Sequence, residues 1–568
     1  MRVVVVGSGA GGLTAIKCCK EEGLDVVCYE RSDNIGGLWR YRDEDEEGLA
    51  SVTKSTVINT SKELTSYSDF PPPEEFPNYM HNSNMFLYLK MYAEKFDLVS
   101  CIKFHHRVDS IVPADDYYQT GRWKITVVDL KTREERCSTV DAVMVCTGHH
   151  VFPNTPTFAG QEKFKGVITH THSYKKPQEF EDKRVVVVGA GNSAGDAAVE
   201  TSLVAKQVYL STRRGCWVLH RVAENGKPYD DIFTTRLNNL IVSLLPFSLT
   251  CSIMERVLNR RFDHEKYQLK PKHRFLQQHP MTNDALPNRI LSGTVIVKGD
   301  IKHFQENGVL FEGDSEITEV DRVILATGYE IKFPFLSKEI LDTTENRVQL
   351  YKFIFPPHLK HPTLSIVGLF QSLGGGFPIA ELQCRWIVQL LRKNLALPSE
   401  EEMKKDVGRQ LETIKRRYYD SKRNTIQVGY IDYADELASL IGAKPNFFKM
   451  FFNDNELFRA LMTGPSLPYQ YRLRGPHKWS KARNTILSYK HRVDRPLQTR
   501  FKDIKRKERH FSYLRLTFLI VFVAFVLLNL FVENSWLWQR SPSFPYLAYP
   551  IGVLKNYTTG NYMTSDSY

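Results

Sequence analysis

The sequence has no C-x-x-C pair among its nine cysteines, and their spacing does not match that of metal ligands. This argues against a redox-active dithiol and against a metal centre. Several of these cysteines lie inside apolar runs, so we expect buried, reduced thiols in a protein on the cytosolic side. The N-terminus also lacks a basic segment followed by an apolar one, because an apolar strand is predicted from residue 2. No cleavable signal peptide is therefore expected.

The chain shows neither a Ser-His-Asp set nor a pair of carboxylates with catalytic spacing. Its 568 residues are too many for one compact core, so two or three domains are expected. The net charge of +12 could indicate a nucleic-acid partner, but the basic residues are spread widely. One basic cluster, at residues 500–515, precedes an apolar segment, and membrane proximity explains it better. We predict no nucleic-acid partner.

The first forty residues contain the most informative pattern. The apolar, β-branched run Val3–Val6 predicts a buried parallel strand. Gly7, Gly9 and Gly12 follow in G-x-G-x-x-G spacing, which allows a tight turn, close approach to a pyrophosphate and packing of a helix on the strand. A second apolar run ends at Glu30, where a carboxylate can accept hydrogen bonds from a ribose. These residues predict a dinucleotide-binding βαβ unit.

The same pattern recurs in the middle of the chain. An apolar strand at residues 184–188 precedes Gly189, Gly191 and a small Ala194, and a helix is predicted after them. The second strand of this unit ends in Arg213 and Arg214 instead of an acid. Arginine binds a 2′-phosphate in a bidentate manner, whereas an acid would repel it, so this unit should prefer NADP over NAD. Two nucleotide units indicate an enzyme that relays electrons between two cofactors.

Other segments carry weaker signals. Residues 56–71 form a polar stretch that is long for an ordinary loop, and residues 109–141 alternate as in an antiparallel meander. Within an insertion at 215–288, residues 236–246 have leucines at helical spacing, which fits a core helix, a membrane-contacting helix or a substrate tunnel. Residues 362–386 predict a last strand, a Gln371 loop and a helix from near Pro378. Residues 395–510 begin with a helix and carry no chemical motif.

An apolar run of 17 residues, 516–532, lies near the C-terminus with a basic flank on its N-terminal side. It is at the short end for a membrane span, but its flank and position favour an anchor. The basic flank should remain cytosolic, which places the tail after residue 533 across the membrane.

The whole pattern resembles a flavin-containing monooxygenase of the microsomal, dimethylaniline N-oxidising type, over roughly residues 2–530. Besides both glycine loops, residues 164–174 match the F-x-G-x-x-x-H-x-x-x-Y signature, which here ends in Tyr174. Two details depart from the family pattern: Ala194 stands directly after Ser193, where glycine is more common, and Leu325 replaces a phenylalanine. Both replacements are conservative.

The resemblance implies an α/β fold with two Rossmann-like dinucleotide-binding domains, one for FAD and one for NADP, a helical insertion and a C-terminal transmembrane helix. The domains expected are an FAD-binding domain (1–155 and 330–445), an NADP-binding domain (156–214 and 289–329), the insertion (215–288), a region leading to the membrane (446–510), the anchor (511–533) and a tail (534–568).

The implied chemistry is that NADPH reduces FAD, O2 adds to the flavin as a C4a-hydroperoxide, and a soft nitrogen or sulfur nucleophile takes the distal oxygen. Baeyer–Villiger oxidation of ketones and an NADPH oxidase that releases H2O2 are the alternatives; Tyr174 argues mildly against the former, whose signature usually ends in tryptophan. A disulfide reductase would need the missing cysteine pair. A nucleotide-binding scaffold without turnover would bind FAD without oxidising NADPH.

The resemblance also implies the site residues. Asn59 aligns with the asparagine that the family places beside flavin and nicotinamide, and we predict that it stabilises the oxygenated flavin; turn closure is its alternative role. Further cofactor contacts are expected from Gly7, Gly9, Gly12, Glu30, Gly36, Gly37, Leu38, Trp39, Thr60, Ser61, Val108, Thr147, Gly148, Gly189, Gly191, Asn192, Ser193, Ala194, Asp196, Thr212, Arg213, Arg214, Thr327, Gly328 and Gln371.

The expected partners are small nucleophilic substrates, O2 and membrane lipid. The expected location is the endoplasmic reticulum membrane, with the catalytic domains on the cytosolic side. The exact substrate, the oligomeric state and the role of the tail stay open.

Overall fold

The computed structural model describes residues 1–50 and 52–500. Within them, residues 1–239 and 253–497 form one compact unit, which contains both parallel sheets and all of the predicted site residues. Residues 240–252 belong to a second unit. The domain boundaries drawn from the sequence therefore stay predictions. The predicted anchor at 516–532 lies outside the described residues, and none of the helices inside them is long and apolar enough to cross a membrane.

The strands, numbered along the chain, are β1 (Arg2–Val6), β2 (Asp25–Tyr29), β3 (Ile102–Lys103), β4 (His106–Pro113), β5 (Trp123–Asp129), β6 (Glu135–Val140), β7 (Ala142–Val145), β8 (Phe152–Pro153), β9 (Val167–His170), β10 (Arg184–Val188), β11 (Gln207–Ser211), β12 (Val218–Leu219), β13 (Met281–Thr282), β14 (Val295–Lys298), β15 (Ile301–Gln305), β16 (Gly308–Phe311), β17 (Thr318–Glu319), β18 (Arg322–Leu325), β19 (Tyr329–Glu330), β20 (Leu364–Ile366), β21 (Gln371–Ser372) and β22 (Gln427–Val428).

The helices are α1 (Ala10–Glu21), α2 (Lys62–Thr65), α3 (Asn82–Lys95), α4 (Tyr117–Thr120), α5 (Asn192–Thr201), α6 (Asp230–Phe233), α7 (Arg236–Leu244), α8 (Phe247–Asn259), α9 (Leu286–Leu291), α10 (Gly376–Leu391), α11 (Glu400–Arg417), α12 (Tyr430–Leu440), α13 (Phe447–Asn453), α14 (Asn455–Thr463), α15 (Ala482–Leu487) and α16 (Tyr489–Asp494).

The first sheet is parallel throughout and has the strand order β20-β7-β1-β2-β3. Its central strand β1 is buried on both faces, which explains why Val3–Val6 is apolar without alternation. Because β1 and β2 are parallel neighbours, their carboxyl ends meet at one edge of the sheet, where the first glycine loop begins. The predicted βαβ unit is confirmed.

The second sheet repeats this arrangement with the order β14-β11-β10-β18-β9, again parallel throughout. Strand β10 occupies the central position, and α5 follows it after the second glycine loop. The second βαβ unit is therefore confirmed as well. Between β3 and β7 of the first sheet, β4, β5 and β6 form the predicted antiparallel meander, which begins at His106 and not at Asp109.

The polar stretch at residues 56–71 is not the extended loop that its composition suggested. Residues 61–68 are buried, and α2 lies within them. Their charges are paired inside the protein: the Glu63 carboxylate accepts from Nε of Arg492 at 2.9 Å and from the Tyr469 hydroxyl at 2.7 Å. Buried polar side chains need such partners, and these partners come from more than 400 residues away in sequence.

Two helices predicted after residue 370, α10 and α11, are present, and their first residues differ slightly from the predicted ones. Helix α10 begins at Gly376 instead of near Pro378, because a proline is tolerated in the first turn of a helix. Helix α11 begins after Ser399, whose hydroxyl accepts from the amide of Glu402 in a capping box. The helix predicted at 236–246 is α7.

Candidate functional site

Gly7 and Gly12 of the first glycine loop cannot be replaced by a larger residue without strain. A Cβ at Gly12 would lie 1.8 Å from the carbonyl oxygen of Gly7, and Gly7 itself has a φ of +93°. A Cβ at Gly37 would lie 3.0 Å from the Cα of Gly9, so the second predicted glycine pair packs directly against the loop. The backbone is therefore bare where a pyrophosphate would approach the N-terminus of α1.

A cavity of about 750 Å³ opens beside this loop. Its volume lies within the usual range for small-molecule and cofactor sites. It runs along the carboxyl edge of the first sheet, past the β2 end, and reaches the N-terminus of α10. The predicted residues that line it are Gly7, Gly9, Glu30, Gly36, Gly37, Leu38, Trp39, Val108, Thr147 and Gly148.

Glu30 is held in place at the end of β2. One carboxylate oxygen accepts from the amide and hydroxyl of Ser8 at 2.7 and 2.9 Å, and the other accepts from the amide and hydroxyl of Ser32 at 2.9 and 2.8 Å. These four hydrogen bonds use all of the lone-pair sites of the carboxylate, and the side chain lines the cavity. A ribose hydroxyl would bind Glu30 by displacing a serine hydroxyl, and the Ser32 hydroxyl has the carbonyl of Asn34 as another acceptor at 2.8 Å.

The residues present therefore fit FAD. The bare glycine loop suits a pyrophosphate, Glu30 suits a ribose, and apolar side chains wall the far part of the cavity, where Trp39 and Phe377 meet edge to face with ring centroids 6.3 Å apart. A flat aromatic ring would find an apolar surface there.

The second glycine loop has the same bare geometry. A Cβ at Gly189 would lie 2.4 Å from the carbonyl oxygen of Ala326, and Gly189 has a φ of +138°. Ala194 is fully buried against the sheet, so alanine does allow the close packing expected at this position. One further predicted residue is engaged from the insertion side: Asn192 Oδ1 accepts from the backbone amide of Thr282 at 2.7 Å.

Asp196 lies on α5 beside the second loop. Asn283 Nδ2 donates to its Oδ1 at 3.1 Å. Burial raises the pKa of Asp196 to about 6, while the nearby Arg221 and the hydrogen bond from Asn283 oppose this rise. Ser193, one turn earlier on the same helix, is exposed.

The two arginines predicted to bind a 2′-phosphate follow β11 and are both exposed. The Arg214 guanidinium lies over the ring of Tyr419, 4.1 Å from its centroid. Such a cation–π contact holds a long side chain in place without neutralising its charge. Thr212 shapes the turn before them, because its hydroxyl accepts from the amide of Gly215 at 3.0 Å.

Two Thr-Gly turns follow β7 and β18, the strands that pair with the two strands preceding the glycine loops. Thr147 and Gly148 follow β7 and line the cavity, and Gly148 has a φ of +71°. Thr327 and Gly328 follow β18, where the Thr327 hydroxyl donates to the carbonyl of Asn154 at 2.5 Å. The chain thus passes from one nucleotide unit to the other beside both turns.

Several histidines lie near the two Thr-Gly turns, where the chain passes from one nucleotide unit to the other. His149 and His150 line the cavity with ring centroids 4.3 Å apart. Enclosure by protein atoms lowers the pKa of His150 to about 4, although its ring faces the cavity, and repulsion from Arg423 adds to the effect. Burial also lowers the pKa of His170 to about 4. These imidazoles are therefore neutral near pH 7, so His170 is not charged there. Its Nδ1 accepts from the amide of His172 at 3.0 Å.

Asn59 is held by the insertion. Arg221 Nη2 donates to Oδ1 of Asn59 at 2.8 Å, and Arg221 Nε donates to the carbonyl of Ile58 at 3.1 Å. On its other side the same guanidinium pairs with Asp284 at 3.2 Å. Because Arg221 takes the amide oxygen, the amide nitrogen is the end of Asn59 that remains as a donor.

Asn59, Thr60, Ser61 and Gln371 do not line the cavity. Thr60 and Ser61 lead into α2, and the amide of Ser61 donates to Asp230 Oδ2 at 2.5 Å. The segment packs against the start of α10, because a Cβ at Gly375 would lie 1.9 Å from the carbonyl of Leu64, and the next residue, Gly376, lines the cavity. Gln371 accepts from Gln427 Nε2 at 2.7 Å. The cofactor contacts of these four residues stay predictions.

Sequence reasoning missed the residues that reach the site from elsewhere. Arg221, Asp284 and Tyr419 lie outside both glycine fingerprints, and no local spacing pointed to them. Among the cysteines, seven are buried thiols, in line with the expectation: Cys18, Cys19, Cys28, Cys146, Cys216, Cys251 and Cys384.

The chain is similar to known proteins over most of its length. Residues 1–531 match the family model described as flavin-binding monooxygenase-like. The chain is 48% identical to rat flavin-containing monooxygenase 5 over 527 residues, which cover 92% of this chain and 98% of that protein. It is 43% identical to human flavin-containing monooxygenase 2 over 538 residues, covering 94% and 99%.

Solved structures share the fold. S-allyl-L-cysteine S-oxygenase from Allium sativum superimposes with a TM-score of 0.60 at 23% identity, covering 85% of this chain and 98% of that one. An open form of cyclohexanone monooxygenase gives a TM-score of 0.57 at 17% identity, covering 78% and 97%.

Proposed function

The chain belongs to the flavin-binding monooxygenase-like family, and we propose that FAD binds in the cavity beside the first glycine loop while NADPH binds at the second. The protein is an FAD-dependent NADPH monooxygenase that oxygenates soft nitrogen- or sulfur-containing small molecules with O2. The observation that carries the placement of FAD is the 750 Å³ cavity, whose walls include ten of the residues predicted to contact it.

FAD, when bound, accepts hydride equivalents from NADPH and activates O2. The protein has to hold both dinucleotides, exclude water and donate a hydrogen bond where negative charge develops on oxygen. Asn59 Nδ2 supplies that donor in our proposal, because Arg221 fixes the opposite end of the amide. The charges of the two units favour different cofactors. Glu30 lies at the ribose position of the first site, where it suits FAD, and Arg213 and Arg214 lie beside the second site, where they suit the 2′-phosphate of NADPH.

A direct test begins with the purified protein. It should carry FAD with a flavin absorbance spectrum, oxidise NADPH faster than NADH, and convert a thioether or tertiary amine to an oxygenated product in proportion to the NADPH consumed. Stopped-flow absorbance of the NADPH-reduced enzyme mixed with O2 should show a long-lived oxygenated flavin. Bound FAD without NADPH oxidation would identify a scaffold, and stoichiometric H2O2 without product would identify an oxidase. Exclusive conversion of ketones to esters would contradict the substrate class.

We further propose that the protein works at the endoplasmic reticulum membrane, held by the run at 516–532 with its catalytic part in the cytosol. Two exposed apolar sets support membrane contact. Leu240, Leu244 and Leu249 in α7 and α8 are each more than a third exposed, and in α13 Phe448 is 78% and Phe452 67% exposed. Exposed leucine and phenylalanine on short helices suit burial at a lipid interface.

Two experiments test this location. Truncation after residue 510 should leave FAD binding intact but move most of the protein from the membrane fraction to the supernatant. In the full chain, the sequon at Asn556 should carry sugar and the one at Asn59 should not, because Asn59 would remain on the cytosolic side. Sugar on Asn59 that endoglycosidase removes, with none on Asn556, would contradict the orientation; Asn556→Gln is the control for the site.

A further inference from the structure

Arg423 lies over the second glycine loop although it comes from a segment in which the sequence showed no chemical motif. Its Nη2 atom is 2.6 Å from the position that a Cβ would occupy at Gly191, and its Nε is 3.9 Å from the corresponding position at Gly328. In the fingerprint, the second glycine is the one at which the backbone approaches the pyrophosphate. The guanidinium therefore reaches the place where a dinucleotide phosphate would lie.

The charge of Arg423 is not neutralised by a nearby acid. Within residues 1–50 and 52–500, the only hydrogen bond found for this residue is from its backbone amide to Ser421, and no ion pair reaches its guanidinium. The surrounding protein atoms lower the pKa of Arg423, and the neighbouring cation Arg213 adds to this effect, although the side chain is exposed to solvent. Its other titratable neighbours are His150 and His279, whose pKa values it lowers.

Solvent screens the exposed Arg423 guanidinium, so its charge is tolerated without an acidic partner and stays available to bind an anion. A pyrophosphate would supply two negative charges to this place. Arginine is the side chain best suited to receive them, because its planar donors match two phosphate oxygens.

The segment that carries Arg423 is fastened on both sides. The amide of Tyr419 donates to the carbonyl of Gln277 at 2.8 Å, and the carbonyl of Ile426 accepts from the amide of Gln371 at 2.7 Å. Between these points, Asn424 is buried and its Nδ2 donates to the carbonyl of Tyr419 at 2.9 Å. The loop is thus fixed before any ligand arrives, which lowers the entropy lost on binding.

We propose that residues 419–423 complete the NADP(H) site from outside its βαβ unit, with Arg423 binding the pyrophosphate and Tyr419 positioning Arg214 for the 2′-phosphate. This inference rests on the proposed NADPH site and adds two residues to it. It assigns separate tasks to the arginines: Arg423 contributes to the binding of any nicotinamide dinucleotide, whereas Arg213 and Arg214 discriminate between NADP and NAD.

The test measures dissociation constants on the oxidised, FAD-loaded enzyme by calorimetry, with NADP+ and NAD+ as probes and without turnover. Arg423→Ala should raise Kd for both probes by a similar factor, roughly 10- to 100-fold, the range expected for hydrogen bonds to a charged group. Arg423→Lys should recover part of the loss, because it retains the charge but not the planar donors. Tyr419→Leu should weaken NADP+ binding more than NAD+ binding.

Lys422→Gln is the matched control. It removes one positive charge from the neighbouring residue, but its ammonium pairs with Glu345 at 3.1 Å, away from the loop, so Kd should stay unchanged. An Arg423→Ala variant that keeps its FAD spectrum and thermal stability but binds both probes like the parent would overturn the proposal. A loss confined to NADP+ would also overturn it, because it would place Arg423 at the 2′-phosphate. Failure of the parent protein itself to bind NADP+ would instead disprove the underlying NADPH site.

Discussion

Arg221 and Asn59 are joined by a hydrogen bond of 2.8 Å across 162 residues of sequence. Arginine has only donors, so the amide oxygen of Asn59 must face it, and the amide nitrogen faces away. A side-chain amide that donates to an oxygenated flavin can also accept from a neighbour. The structure identifies Arg221 as that neighbour. The insertion at 215–288 therefore orients a side chain of the first nucleotide unit.

The first prediction concerns Asn59 itself. Asn59→Ala should retain FAD but consume NADPH with release of H2O2 in place of oxygenated product. Loss of one donor at a comparable oxyanion site costs about 2.7–4 kcal/mol, and here we expect the loss in the lifetime of the oxygenated flavin. Stopped-flow absorbance and the ratio of product to NADPH measure it.

Asn59→Asp is the informative companion, because it keeps an acceptor for Arg221 but has no donor at neutral pH. It should uncouple as strongly as the alanine variant. If Asn59→Ala oxygenates a good thioether with unchanged coupling, Asn59 only closes a turn, and Gln371 becomes the next candidate.

The second prediction concerns Arg221. Arg221→Met should lower coupling less than Asn59→Ala does, since the amide can still donate but is no longer oriented. In the double variant the two effects should not add, because both act through one donor. Coupling ratios of the parent, both single variants and the double variant measure this. Additive losses would show that Arg221 acts independently, for instance through its pair with Asp284.

The two glycine loops were predictable because their glycine spacing is a short pattern within the sequence. Gly12 faces the carbonyl of Gly7 in its own loop, whereas Gly189 faces the carbonyl of Ala326 after β18, so the spacing marks Gly189 without revealing its neighbour. Arg221, Tyr419 and Arg423 act across the fold, and their positions depend on how the insertion and the segment after α11 pack. No periodicity in the sequence encodes that packing. For the same reason the buried charges at residues 61–68 resembled a solvated loop: the partners Arg492 and Tyr469 are distant in sequence.

The third prediction uses two adjacent glycines. Gly12→Ala should abolish retention of FAD, because its Cβ would lie 1.8 Å from the carbonyl oxygen of Gly7. Only a movement of the loop backbone could relieve this clash. Gly11→Ala should retain FAD, since its Cβ would lie 3.4 Å from Val367 Cγ1, close to ordinary contact. The flavin-to-protein absorbance ratio after gel filtration compares them. Equal retention in both variants would remove the first loop from the FAD site.

The fourth prediction concerns cofactor choice. Replacing both Arg213 and Arg214 with glutamine should raise KM for NADPH much more than KM for NADH, because each charge-assisted contact contributes about 1.5–3 kcal/mol. Arg214→Gln should have the larger single effect, since Tyr419 holds its guanidinium at 4.1 Å while no comparable ring contact was found for Arg213 among the described residues. Steady-state kinetics with both cofactors measure this. Equal losses for NADPH and NADH would contradict the assignment to the 2′-phosphate.

The fifth prediction concerns pH and Glu200, which lies one turn after Asp196 on α5. Burial, with a contribution from Asp196, raises the pKa of Glu200 from 4.5 to about 7, against a hydrogen bond from the Tyr174 hydroxyl at 3.2 Å. The unfolded chain keeps the ordinary value, so between pH 4.5 and 7 the folded state binds more protons. Stability should therefore fall as pH rises through this range, and above pH 7 the ionised carboxylate destabilises the fold.

Glu200→Gln removes this charge but keeps an oxygen that accepts from Tyr174. Its Tm, measured by calorimetry on the FAD-loaded enzyme without NADPH, should exceed that of the parent at pH 8 and approach the parent value at pH 5. Glu179→Gln, at an exposed site, controls for the loss of a surface charge. A Glu200→Gln variant less stable than the parent at pH 8 would mean that ionised Glu200 stabilises α5, and that its hydrogen bond with Tyr174 outweighs the cost of burying the charge.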